Sequence, residues 1–165
     1  MAHTGLVLGA GEFDLVMAVV RRDVDEVRRA HEAGVDLGRV ATPAGALINW
    51  AAEWGRAEIV AYMLGQGVEV EPRALSMAAG KGHAEAVGLL LEHGMNPDLP
   101  GEWPPLCAAA YRGSLECVEA LLQAGARVDV RMGPQAGSSA GKTPRELAAM
   151  QRTDGAAAIL RLLAR

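Results

Sequence analysis

Aromatic side chains are scarce in this sequence: one Phe, two Tyr and three Trp make up 4% of 165 residues. Sheet sandwiches and barrels draw heavily on aromatic and β-branched residues. The apolar half of this chain is built mostly from Ala, Leu and Val, which suits close helix packing in one domain. Cysteine is also rare. Cys107 and Cys117 cannot make a disulfide framework, and no charged-then-apolar leader with a cleavage-like site opens the chain, so a reducing, cytoplasmic setting is expected. No apolar run approaches the roughly 18 residues that a membrane-spanning helix needs. Excess positive charge is missing too: the net charge is −4 and the pI about 5.6, which speaks against a nucleic-acid or membrane-surface partner. Lysine is nearly absent, Lys81 and Lys142 being the only two among 16 basic residues. That arginine bias is of the kind GC-rich coding genomes produce and points to a bacterial source.

What the chain does contain is repetition. Ala30-His31-Glu32-Ala33-Gly34, Met63-Leu64-Gly65-Gln66-Gly67, Leu90-Leu91-Glu92-His93-Gly94 and Leu121-Leu122-Gln123-Ala124-Gly125 share one helix-ending pattern, with final glycines spaced by 33, 27 and 31 residues. Periods of this size belong to helical solenoids. Upstream in three units lies a second signature, Ala51-Ala52-Glu53-Trp54-Gly55, Ala78-Ala79-Gly80-Lys81-Gly82-His83 and Ala109-Ala110-Tyr111-Arg112-Gly113. Each is followed by an apolar pair, Ile59-Val60, Ala86-Val87 or Cys117-Val118. Two short helices per unit fit this layout, the inner glycine ending the first at positive φ and the outer glycine the second. Ala-Ala pairs allow close approach between units, and apolar residues three or four apart supply a buried face.

With those residues in view the chain resembles the ankyrin repeat family, whose units read approximately Thr-Pro-Leu-His-x-Ala-Ala-x-x-Gly-His, then Ile-Val, Leu-Leu and Gly-Ala-Asp-Val. The matches are Gly82-His83, Pro105-Leu106, the run from Gly125 through Val128 to Val130, and Gly141-Lys142-Thr143-Pro144 with Leu147-Ala148. The resemblance covers residues 13–163 and implies an all-α solenoid of helix-turn-helix units, about five repeats including atypical caps. Approximate repeats are 13–40, 41–70, 71–98, 99–130 and 141–165. Departures are visible. Where the family has Thr-Pro-Leu-His the chain has Ala46-Leu47-Ile48-Asn49, Arg73-Ala74-Leu75-Ser76 and Pro104-Pro105-Leu106-Cys107, which removes part of the family's local hydrogen bonding. The 27-residue spacing implies a shortened hairpin loop at residues 69–73, and the Gly-, Ser- and Pro-rich residues 130–142 an expanded one. In the first unit Arg21-Arg22-Asp23 replaces the inner Gly-His, and the last unit carries extra residues near Arg152-Thr153.

Chemistry-bearing constellations are few. His3, His31, His83 and His93 show no metal-ligand spacing with each other, with cysteine or with clustered carboxylates; no metal and no cofactor is expected. The resemblance makes His83 structural, and His93 stands one residue before a terminal glycine, where a helix end tolerates it. Cys107 and Cys117 replace packing residues and have no accompanying His and Asn or Asp set for nucleophilic catalysis. Gly9-Ala10-Gly11 lacks the third glycine of a dinucleotide loop, Asp14 standing there, and Gly141-Lys142-Thr143 lacks the P-loop's earlier glycine, Ala136 standing there.

By resemblance, the two residues after each Ala-Ala pair line the concave side. They are Glu53 and Trp54, Gly80 and Lys81, Tyr111 and Arg112, and Met150 and Gln151, with Val20 and Arg21 in the first unit. Trp103 falls on a hairpin approaching the same side. Trp, Tyr and Arg are the residue types that concentrate binding energy in interfaces, so Arg21, Glu53, Trp54, Lys81, Trp103, Tyr111 and Arg112 are the candidate partner-binding residues. Arg21, Lys81 and Arg112 against Glu53 leave a local basic excess, which fits an acidic partner surface. Trp50, beside an Ala-Ala pair, is expected to pack between repeats. The functional expectation is a non-catalytic, monomeric protein-binding module: an adaptor, an inhibitor, or an immunity or antitoxin-like protein. The alternative is an enzyme or small-molecule binder using the concave groove, with Glu53 or Glu146 as acid or base. Terminal repeats shield the apolar flank of their neighbours, so removing residues 143–165 is expected to yield an aggregating chain. Size-exclusion chromatography of the truncated protein checks this; a soluble, equally stable product would show that the last unit is not a cap.

Overall fold

The computed structural model describes residues 10–42, 45–151 and 154–164. His3, Gly9 of the Gly9-Ala10-Gly11 stretch, and the Arg152-Thr153 pair lie outside the described residues. Ten α-helices run through the described chain in five antiparallel pairs: α1 (Ala10–Arg21) with α2 (Val24–Glu32), α3 (Leu47–Glu53) with α4 (Ala57–Gly65), α5 (Arg73–Lys81) with α6 (Ala84–Glu92), α7 (Pro105–Arg112) with α8 (Leu115–Gln123), and α9 (Pro144–Ala149) with α10 (Asp154–Leu162). First helices pack on first helices and second on second, each pair meeting its neighbours. This is the all-α solenoid of helix-turn-helix units that the resemblance implied. Two-residue strands β1 (Ala41–Thr42) and β2 (Gly45–Ala46) pair antiparallel in the finger ahead of α3, Ala41 opposite Ala46.

The alanine pairs explain why the first helices stack so closely. Ala51, Ala52, Ala78, Ala79, Ala109 and Ala110 are all fully buried, and methyl-sized side chains at these positions let neighbouring first helices approach closely. The second helices contribute the larger groups, Ile59, Val60 and Met63 from α4, Val87 and Leu90 from α6, Val118 and Leu121 from α8. Together they form one continuous core that extends from Leu15 and Val19 in α1 to Ile159 and Leu163 at the far end.

Helix starts follow local chemistry. The Asp23 carboxylate accepts from the Glu26 N–H at 2.9 Å to open α2, and Thr143 with Glu146 forms a reciprocal capping box at α9. Helices α3, α5 and α7, which lack the family's threonine, have no side-chain cap. At the family's histidine position Cys107 lies with its sulfur 3.9 Å and 4.0 Å from the Val130 and Lys142 carbonyls, too long for more than a weak contact.

Finger lengths are as uneven as the glycine spacing implies. Residues 66–72 alone separate α4 from α5, whereas residues 124–143 separate α8 from α9. The long finger is folded back onto the stack. Met132 is buried, and its N–H and carbonyl pair with Lys142 and Gly141 at 3.0 Å and 3.1 Å. Glu102 in the preceding finger takes up the other side, its carbonyl accepting from Gly133 and its carboxylate from the Gln135 N–H at 2.7 Å. Lys142 closes the loop on the Ser138 carbonyl.

One backbone position is out of keeping. The first helices α5 and α7 end on left-handed glycines, Gly82 at φ 82° and Gly113 at φ 77°, but α1 ends on Arg22 at φ 65°. A Cβ in that conformation crowds the following carbonyl, at a cost of roughly 1–2 kcal/mol. Arg22→Gly is therefore expected to stabilise the fold by about 1 kcal/mol, the relief of strain exceeding the extra freedom of the unfolded glycine. Urea melts of the two proteins measure it, and an unchanged or lower midpoint would show that the Arg22 side chain contributes more than its backbone costs.

Candidate functional site

At the C-terminal ends of the first helices the last carbonyls have no partner within their own helix, and the next repeat supplies one. Arg56 reaches back from the start of the second unit's outer helix, its guanidinium donating to the Val19 and Val20 carbonyls, both at 2.9 Å. The His83 ring interacts with the Glu53 backbone one repeat further on. Arg112 then donates from Nε to the Lys81 carbonyl at 3.2 Å. His83 also lies against Gly55, where an added Cβ would collide with the imidazole. The Gly-His motif is thus an inter-repeat contact, a specific form of the structural place that the resemblance implied for His83.

These stitches gather cations along the C-terminal ends of the first helices. Burial, and beyond it the charge of Arg22, pulls the Arg56 guanidinium below its usual value. Burial also holds the His83 imidazole below its ordinary value; the interaction with the Glu53 backbone opposes this, while Arg56, Arg112 and Lys81 reinforce it. Lys81 pairs with Glu53 at 3.4 Å. Among the described residues it is the only member of the set Arg21, Arg22, Arg56, Lys81 and Arg112 with a carboxylate at ion-pair distance.

Beside these helix ends lies a groove of about 670 Å³ between α5 and the finger ahead of α7. Its apolar surface comes from Met77, Leu99, Pro100 and Ala108, and its aromatic wall from Trp103 and Tyr111. The two rings meet edge to face, centroids 5.3 Å apart at 72°, yet remain 39% and 43% exposed. Pro72 and Arg73, where the short finger meets α5, also line the groove. The Glu53–Lys81 pair closes its other end and is shared with a second hollow lined by Arg22, Trp50, Trp54, Arg56 and His83.

The seven sequence-predicted residues therefore do not form one cluster. Trp103 and Tyr111 meet in the groove, with Glu53 and Lys81 at its end. Trp54 is exposed but lies across the Glu53–Lys81 pair, stacked at a tilt 5.7 Å from the half-buried Trp50 and covered on one face by Arg56 at 5.6 Å. Arg112 lies beyond Lys81, and Arg21 at the exposed end of α1 lines none of these hollows. Residues the sequence reading passed over are Arg22, Arg56, Met77 and Leu99. For Arg56 the signal was present, since it follows Gly55 as His83 follows Gly82.

Neither cysteine is placed for nucleophilic work: Cys107 and Cys117 are buried, and burial pushes the Cys107 thiol up to about 12. Glu146 is occupied with the Thr143 backbone and hydroxyl, which hold its carboxyl below the usual range. Among the described residues no helix is long and apolar enough to cross a membrane.

Comparison with known proteins follows the same lines. A family profile described as Ankyrin repeats (3 copies) matches residues 48–132 and 75–164. The chain is 34% identical over 93 residues to the E3 ubiquitin-protein ligase hecd-1 of Caenorhabditis elegans, a match covering 53% of this chain and 4% of the ligase. It is 32% identical over 126 residues to the Cyclin-dependent kinase 4 inhibitor B of Bos taurus, covering 74% of this chain and 75% of the inhibitor.

The position of His83 sets a pH dependence. Its folded value lies below its unfolded one, so the unfolded chain binds more protons in this range and stability rises with pH. The contribution is full above the unfolded value of about 6.5 and declines as the pH falls through it. The melting temperature is expected to drop between about pH 7.5 and pH 5.5, and less so in His83→Gln; parallel slopes in the two proteins would assign the dependence to other groups.

Proposed function

This chain belongs to the ankyrin repeat family, and on that premise we propose that it works as a monomer, without catalysis, by binding another protein on its concave side, as an adaptor or inhibitor. The observation that carries this reading is the exposed Trp103–Tyr111 pair. Two large rings stand at a groove mouth where the core does not require them. Aromatic anchors rimmed by arginine are what interface energetics favour, and Arg22, Arg56 and Arg112 lie along the adjoining edge. The inhibitory relative from Bos taurus, matched over most of its length, makes occupation of a partner a natural mode of action. The uncompensated arginines support a partner that presents acidic side chains. A groove of about 670 Å³ is also within the range of small-ligand sites, and a small molecule that competed with the bound protein would move the reading there.

The test separates binding from folding. Once a partner has been isolated by affinity capture, Trp103→Ala and Tyr111→Ala are expected to weaken binding by at least about 2 kcal/mol each. Folding stability should move by no more than about 0.5 kcal/mol, although loss of the edge-to-face contact will draw on that margin. Calorimetric titration beside thermal melts decides. Unchanged affinity in a folded variant rejects the groove as the binding surface, and a large melting loss assigns the pair to packing. Trp54→Ala, across the Glu53–Lys81 pair, reports whether the contact extends that far.

A further inference from the structure

We propose that the segment bound on the concave side is an extended, proline-containing one whose aliphatic and proline residues occupy the Trp103–Tyr111 groove and whose acidic residues run along the Lys81–Arg56–Arg22 edge; this rests on the protein-binding reading above and specifies its ligand. Three observations carry it. The first is hydrogen-bond capacity. Among the described residues neither the Trp103 indole N–H nor the Tyr111 hydroxyl has a partner, and both rings are open to solvent. A helix laid in the groove would bring backbone carbonyls already satisfied by its own N–H groups. A polyproline-type segment has no internal hydrogen bonds, so its carbonyls are free to accept from an indole and a phenol while its rings pack on the aromatic faces.

The second observation is charge. Within the groove Glu53 is answered by Lys81 at 3.4 Å, Arg73 by Glu71 at 2.9 Å, and the Glu102 carboxylate is taken up by the Gln135 N–H. Its interior therefore asks for no charge. Past the Glu53–Lys81 pair the balance changes. Arg22, Arg56 and Arg112 direct at most part of their guanidinium donors to backbone carbonyls, and Arg22 bears directly on Arg56 as a like charge. Carboxylates arriving there would relieve repulsion that the fold itself leaves standing.

The third is length. From α7, which carries Tyr111, to α1, which ends at Arg22, there are three first-helix spacings, about 8–10 Å each. An extended segment rising ~3.1 Å per residue covers that distance in roughly 8–10 residues. One continuous strand of chain can thus touch both regions, because Glu53 and Lys81 border both hollows.

Selection of a displayed random library of about twelve-residue peptides on the full chain tests the inference without a partner in hand. The expected winners carry prolines with aliphatic residues at one end and two or more Asp or Glu at the other. In synthetic form they should lose at least about tenfold in affinity on Trp103→Ala or Tyr111→Ala. On Arg22→Asn and Lys81→Gln they should lose several-fold, a loss that fades as salt is raised. Arg22→Asn keeps a residue at ease with positive φ, so it removes the charge without unfolding the chain. Winners with apolar residues at helical spacing, winners that are basic, or winners indifferent to all four substitutions would overturn the proposal. So would a library that yields no binder. If a captured protein partner still depends on Tyr111, that last outcome leaves concave-side protein binding standing and removes only the extended segment; if neither peptide nor protein responds to Tyr111, both readings fall.

Discussion

The stack depends on how each first helix is finished. A helix of six to twelve residues, as these are, leaves a large share of its carbonyls without internal partners, and none of these helices could persist alone. In this chain the following repeat supplies donors, Arg56 to α1 and Arg112 to α5, with His83 set against the Glu53 backbone at the end of α3. The donors are cationic groups aimed at the negative end of a helix dipole, so electrostatics and hydrogen bonding act together. Each unit is stabilised by the arrival of the next, which is the physical content of a quasi-one-dimensional fold. The same arrangement puts arginines along the ends of the first helices, so residues that hold the stack together also set the electrostatic character of the hollows there.

Much of this was legible in the sequence, and the reason is periodicity. Recurring glycines at 34, 67, 94 and 125 adopt positive φ after the first four outer helices, and the Ala-Ala pairs are fully buried as their spacing requires. The unequal fingers could be read from one short spacing and one Gly- and Ser-rich stretch. Relations between repeats were harder to read. Arg112 looked like a free surface cation, yet it spends its Nε on the Lys81 carbonyl, a residue 31 positions away. Trp54 looked like a neighbour of Tyr111, but the Glu53–Lys81 pair stands between their hollows. A repeat alignment assigns each position a face; it does not say which side chains on that face reach one another.

Arg22 shows where a local rule was broken in plain view. The absence of the inner Gly-His from the first unit is written in Arg21-Arg22-Asp23, and the structure converts it into a left-handed arginine. Local consistency would place glycine there. A strained charge beside another charge is a cost to the isolated fold, and such costs concentrate where a surface has work to do.

The short finger at residues 66–72 has a consequence for how such chains diversify. It stands beside the longer one that carries Trp103, and residues of both fingers line the groove. Loop length is close to neutral in free energy, a doubling costing only about 0.6 kcal/mol. Recognition can therefore be rewritten by insertion and deletion in the fingers without disturbing the helices, and the groove behaves as an exchangeable cassette on a constant frame.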